Sequence, residues 1–420
     1  MKKTILVLLS GVVIALSFCQ PLTAIPAFAR KHGFNCNMCH VAFPKLNDFG
    51  QRFRDNGYQI PGQSGRENTV FETSIPLALR TTAGHSLYKN KQGTTAGFGL
   101  YGLDMLAAGV LHKNLSFLFV YTPRIDEPAA DFNGPSNGTN PAQIATIESA
   151  SVVFSNLAGE KLNLRVGRFE PAYHLISSKR SYYVRQPYEI YDFPAGSNPY
   201  SFAINQIGIE ASGRFQPGLK YSLGIINGSG GAPDNNTGKD VYVTLQKTFG
   251  KGEGQSAGQR LGVFGYFGRQ PSAFSPGTVV APTGENNGRE NRSFYRLGGS
   301  LSLNWKTVNL QALVLKGNDN KAFNYYETTR DYSFWGGLVQ LDVAALANNR
   351  LVASLLYNWV QPSKYDRPNR VSAYSALLRY YLGSWSAVNI AVHAEYSHRS
   401  LWDNPFFKDD VFTLLLDFDF

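Results

Sequence analysis

Cys36-Asn37-Met38-Cys39-His40 sets two thiols three residues apart with an imidazole directly behind the second. Thiols at this spacing can add to the two vinyl groups of a haem, and the adjacent histidine is then carried beneath the ring with one nitrogen on the iron. The pentad therefore reads as a c-type haem attachment site: Cys36 and Cys39 as covalent anchors, His40 as proximal iron ligand, one haem c and one-electron chemistry. A bare CxxC has two rival readings. A thioredoxin-like redox pair needs βαβ surroundings, and half of a zinc site needs a second pair of ligands. Neither is present, because the remaining cysteine, Cys19, falls within an N-terminal export signal.

That signal, residues 1–24, opens with Lys2 and Lys3 and continues as an apolar run over 5–18 that is short for a membrane span. Cleavage is expected after Ala24. Cys19 is a poor lipidation site, since bulky Phe18 stands where a small residue is needed. A monohaem segment is then expected over 25–71 and a second unit over 72–420.

The second unit must position the haem, and its pattern is period two. Phe412, Leu414, Leu416 and Phe418 alternate with Thr413, Asp417 and Asp419, Leu415 being the exception. The same split recurs in Val388, Ile390 and Val392 against Asn389 and His393, and in Leu297, Leu301 and Leu303 against Arg296, Ser300 and Asn304. One face suits lipid and the other water. About sixteen such segments follow Glu72, an even number suited to a transmembrane antiparallel β-barrel. Short connections at 158–159, 216–218, 305–306, 347–348 and 383–384 alternate with long ones at 126–141, 171–202, 270–291 and 317–331. With short turns on the periplasmic side, both barrel ends face the periplasm. The chain closes on an aromatic strand ending in Phe420, as outer-membrane barrels do, and Trp305, Tyr380, Trp385 and Phe418 fit interfacial girdles.

The connection 171–202 carries Tyr173, His174, Lys179, Arg180, Tyr182, Tyr183, Arg185 and Tyr188. Two readings stay open: a loop folded inward to constrict the lumen, or an external loop whose cations meet lipopolysaccharide phosphates. The net charge of +10 includes the signal lysines, and inward candidates mix Arg165, Arg296 and Arg379 with Glu210, Asp342 and Glu395.

Residues 25–71 are too few to bury a core of their own, so the haem needs walls from elsewhere. Pro44 is expected to open a helix at its first position, with Leu46, Phe49 and Phe53 as an apolar stripe ending near Gly57. A short haem-binding helical segment that plugs or caps the barrel lumen is the expected architecture.

Pro26-Ala27-Phe28-Ala29-Arg30, the pentad, 43–50 (FPKLNDFG) and Asn56-Gly57-Tyr58 resemble the N-terminal signature of the fused outer-membrane monohaem cytochrome–porins of iron-oxidising bacteria. The resemblance covers about residues 26–60; Lys31-His32 replaces the Gln-Thr common in that family. It implies an outer-membrane cytochrome passing electrons between an extracellular donor, Fe(II), and a periplasmic c-type cytochrome, at most an Fe(II):cytochrome c oxidoreductase. Outward electron transfer to extracellular acceptors and a solute porin with a haem-bearing plug are the alternatives. The outer membrane and its lipopolysaccharide are the expected surroundings, the haem segment lying at the periplasmic side or within the lumen, with no nucleic-acid partner. The distal iron ligand is left unnamed among Met38, Met105 and the remaining histidines.

Overall fold

The computed structural model describes residues 27–419 apart from 64, 73–75, 124–145, 185–186, 216–217, 235, 251–257, 273–290, 386–387 and 403. The export signal, Arg185, Phe420, the connection 126–141 and most of 270–291 lie outside the described residues.

Sixteen antiparallel strands close into one barrel. They are β1 (Leu77–Asn90), β2 (Gly93–His112), β3 (Leu115–Thr122), β4 (Thr146–Phe154), β5 (Asn163–Phe169), β6 (Gln206–Phe215), β7 (Leu219–Ile226) and β8 (Asp240–Phe249), then β9 (Gln259–Pro271), β10 (Asn291–Trp305), β11 (Val308–Asp319), β12 (Tyr332–Ala345), β13 (Leu351–Gln361), β14 (Val371–Trp385), β15 (Val388–Leu401) and β16 (Asn404–Asp419). Closure pairs the last strand with the first, Asp417 opposite Thr82 and Phe418 opposite Thr81. A closed sheet leaves no row of unpaired backbone groups in lipid, which is the condition for crossing a membrane with strands.

Alternation decides which way each side chain faces. In β16, Val411, Thr413, Leu415, Asp417 and Asp419 are buried inward, while Phe412, Leu414 and Leu416 are exposed on the outer wall. Leu223, Ile225, Val263, Leu341, Leu355 and Leu378 continue that apolar outer surface. Among the described residues no helix is long and apolar enough to cross a membrane. The inward set holds buried ion pairs, Arg296 with Asp319 and Arg379 with Asp417.

Short connections gather at one end, among them Lys113-Asn114 and Lys306-Thr307, and long ones at the other. Lys91-Gln92 is a tight hairpin at the long-loop end, against the expected phase of loop lengths. Gly383 and Ser384 belong to no turn, since β14 runs through both to Trp385.

The lumen is filled. The connection 170–205, which includes the short helix Glu189–Asp192, folds inward, and its Tyr173, Tyr182, Tyr188 and Tyr191 are fully buried against inward-facing Phe264, Tyr266, Phe294 and Leu338. Each such ring contributes roughly 1.5–3 kcal/mol by leaving water, provided its hydroxyl finds a partner. Tyr191 donates to the Ile176 carbonyl at 2.9 Å, Tyr188 to Gln340 Oε1 at 3.0 Å and Tyr200 to the Tyr173 hydroxyl at 3.2 Å. Lys179 meets Glu148 of β4 at 2.6 Å, and Arg180 pairs with Glu170. These cations are engaged by the protein itself, which selects the inward reading of this connection.

Candidate functional site

Residues 27–63 form a small segment built from α1 (Ala27–His32), a single 3-10 turn (Cys36–Met38), a two-strand pair (His40–Ala42 with Lys45–Leu46) and α2 (Asp48–Asp55). Pro44 does not open the helix. It sits in the turn of the two-strand pair, and α2 begins four residues later because Asn47 supplies the cap that proline lacks. Asn47 Oδ1 accepts from the Gly50 amide at 2.9 Å, and its Nδ2 donates to the carbonyls of Asn37 and Met38 at 3.1 and 3.0 Å. One side chain thus satisfies the helix start and holds the turn between the two cysteines. At Gly50 the helix rests on that turn so closely that a Cβ would stand 2.1 Å from the Cys39 carbonyl oxygen.

Cys39 donates its amide to the Cys36 carbonyl at 3.3 Å, closing a turn in which residues three apart lie one above the other. Both thiols are free and half-buried. Burial pushes the Cys36 thiol up and that of Cys39 to about 11. A redox CxxC works through a lowered thiol pKa, so this environment is wrong for disulfide exchange. Among the described residues no group of three or more His, Cys, Asp or Glu side chains is placed to hold a metal ion.

His40 Nδ1 donates to the Pro44 carbonyl at 3.1 Å. That bond fixes the tautomer with the lone pair on Nε2, the arrangement a metal-ligating histidine needs. Burial lowers its pKa to about 4, so the ring is neutral at neutral pH. The donor set fits a covalent haem: two protonated thiols on one turn and a neutral imidazole oriented by its own backbone.

The segment plugs the short-turn end of the lumen. Lys45 Nζ reaches Asn309 Oδ1 at 2.6 Å, Gln311 Oε1 at 3.1 Å and the Asp342 carboxylate. Asn349 donates to the Val41 carbonyl at 2.6 Å, Tyr381 to the Phe43 carbonyl, and Gln59 to Ser155 Oγ at 3.0 Å. Asp55 is ringed by Lys220, Arg54 and Arg214; burial pushes its carboxyl up, but these cations together hold it well below the usual carboxylate range. Phe28, Phe53 and Tyr58 pack together, Phe28 stacking on Tyr58 with ring centroids 5.0 Å apart, against Ala108 and Leu118 of the wall. These seat residues carry no motif. Only Asn47-Asp48 ahead of an apolar stripe signals a helix start.

Of the distal-ligand candidates, Met105 is exposed on the outer wall and Met38 on the turn itself. His85 packs on Phe98 and His398 on Tyr374, both outward. His32 stacks on Phe34, His393 meets Glu395, and His174 bonds the Phe202 carbonyl through Nε2. Burial lowers His174 to about 3.

Neither a family model nor a curated protein sequence matches the chain. Solved structures do. An anion-selective porin from Comamonas acidovorans is 12% identical over 83% of this chain and 100% of its own, with a TM-score of 0.53. OmpT of Vibrio cholerae, an outer-membrane protein in its trimer form, is 8% identical over 83% and 99%, with a TM-score of 0.52. The fold is thus that of an outer-membrane β-barrel, which these two structures share. At these identities the likeness concerns the barrel alone.

Proposed function

We propose that this chain is an outer-membrane cytochrome–porin that passes electrons between an extracellular donor, Fe(II), and a periplasmic electron carrier. The observation that carries the reading is the seating of the Cys36–His40 pentad in the short-turn mouth of a barrel whose lumen is filled above it. The haem, when bound, supplies one-electron chemistry. Cys36 and Cys39 would hold it, and His40 would present Nε2 to its iron. Asn47 and Gly50 fix the attaching turn, and the Lys45–Asp342 tether keeps the plug in the mouth. Between the aromatic loop and the plug lies a polar cavity lined by Lys45, Arg54, Arg180 and Arg260. Iron itself need not cross the barrel: each Fe(II) gives up one electron, which the periplasmic carrier finally accepts, and the ferric product stays outside.

The porin likeness favours a second reading, a solute porin with a haem-bearing plug. The two part in planar bilayers. A conduit gives little ohmic conductance and a haem that extracellular Fe(II) reduces; a porin gives a large pore indifferent to redox state. A haem left oxidised under excess Fe(II), yet reduced by dithionite, rejects Fe(II) as donor and turns attention to outward transfer. Replacing both cysteines, Cys36→Ser with Cys39→Ser, removes haem stain from denaturing gels; His40→Ala leaves the stain and alters reduction.

A further inference from the structure

We infer that the short-turn mouth is a docking surface for an acidic protein. The inference deepens the proposed function, on which it relies for the partner being an electron carrier.

Lys113 between β2 and β3, Lys161 between β4 and β5, Lys306 between β10 and β11 and Arg350 between β12 and β13 are all exposed. None pairs with a carboxylate among the described residues. Around a ring of sixteen strands, the first two turns stand opposite the last two. The plug lies between them and touches both sides. Just beyond it, exposed Arg66 follows Gly65, where a Cβ would lie 3.2 Å from Asn114 in the Lys113 turn. On the other side Val41 is bonded to Asn349, the neighbour of Arg350. The acid in these turns is Glu160, half-buried and 3.8 Å from Arg52.

Inside this frame of cations the cysteine turn presents Asn35, Asn37 and Met38, all exposed and uncharged. The long-loop end is different: Lys239 is paired with Asp234, and Lys321, Arg330 and Lys364 are interspersed with Glu327 and Asp331. Exposed cations thus occur at both ends, and those of the short-turn mouth are the ones arranged around the cysteine turn. Such a frame raises encounter rates of an oppositely charged protein by roughly 10- to 1000-fold at low salt. The neutral centre leaves no buried ion pair to break, so the partner departs quickly after transfer.

The test uses the full-length protein in phosphatidylcholine nanodiscs and a fluorescein-labelled deca-glutamate peptide as the acidic probe, followed by anisotropy. The fourfold variant Lys113→Asn, Lys161→Asn, Lys306→Asn, Arg350→Asn should bind it about tenfold more weakly at low salt. A long-loop-end variant, Lys321→Gln with Lys364→Gln, should bind as the parent does. Unchanged affinity in the fourfold variant overturns the inference, as does an equal loss in the control. So does a fourfold variant that binds the peptide normally but retains less phosphatidylglycerol, since the cations would then be lipid anchors. Peptide binding needs no haem. An absent haem stain with intact binding fells the electron-transfer reading and leaves the surface standing; the opposite result does the reverse.

Discussion

Lys45 and Asp342 lie 297 residues apart and meet inside the barrel, the ammonium of the plug against a carboxylate of β12. Asp342 also accepts from Ser354 Oγ at 2.6 Å and from Gln340 Nε2 at 2.9 Å, so the pair anchors a network rather than a lone bridge. Removing one partner of a buried pair strands the other charge, at about 3–5 kcal/mol. Lys45→Met or Asp342→Asn should accordingly loosen the plug, read as faster proteolysis between residues 27 and 70. The double variant Lys45→Met/Asp342→Leu should be less sensitive than either single one, because no charge is left unpaired.

Asn47 ties α2 to the cysteine turn. Asn47→Ala should cost about 1 kcal/mol for the lost cap and should lower haem incorporation, measured by haem stain per barrel. Gly50→Ala should be the more damaging change, since its Cβ has no room beside the Cys39 carbonyl. Equal haem loading in both variants and the parent would count against this coupling.

Asp55 gives the plug a defined acid response. Its folded pKa lies below the unfolded value of about 3.9, so its stabilisation is fully present above about pH 4 and is lost as pH falls through the folded value. The plug should stay seated in solutions well below pH 4. Asp55→Asn should weaken it throughout the range above that and flatten the profile, seen in protease protection measured against pH.

Leu414 and Leu415 are neighbours that face opposite ways. Leu414→Arg, or Val392→Arg one strand away, should destabilise the barrel by about 2–4 kcal/mol in lipid, measured by denaturant refolding into vesicles. Leu415→Ala should cost a similar amount for a different reason, the cavity left inside, and should do so in detergent as well.

Strand number and wall orientation were legible in the sequence because each is a periodic signal, and the CxxCH pentad is visible there as a local one. A strand between lipid and lumen must alternate, as β10, β15 and β16 do, and CxxCH is five consecutive residues. Contacts between distant segments leave no such trace. Nothing beside Lys45 announces Asp342, and the same tyrosines at 173–200 suit an inward or an outward loop until the barrel offers Phe264, Tyr266 and Phe294 as a surface to bury them. The helix start was misread for the same reason: Pro44 is a sound first-turn residue by itself, but Asn47 wins because it caps α2 and bonds the cysteine turn at once. Tertiary structure also fixed the seat of the plug, since a segment too short to bury its own core takes its position from the walls that complete it.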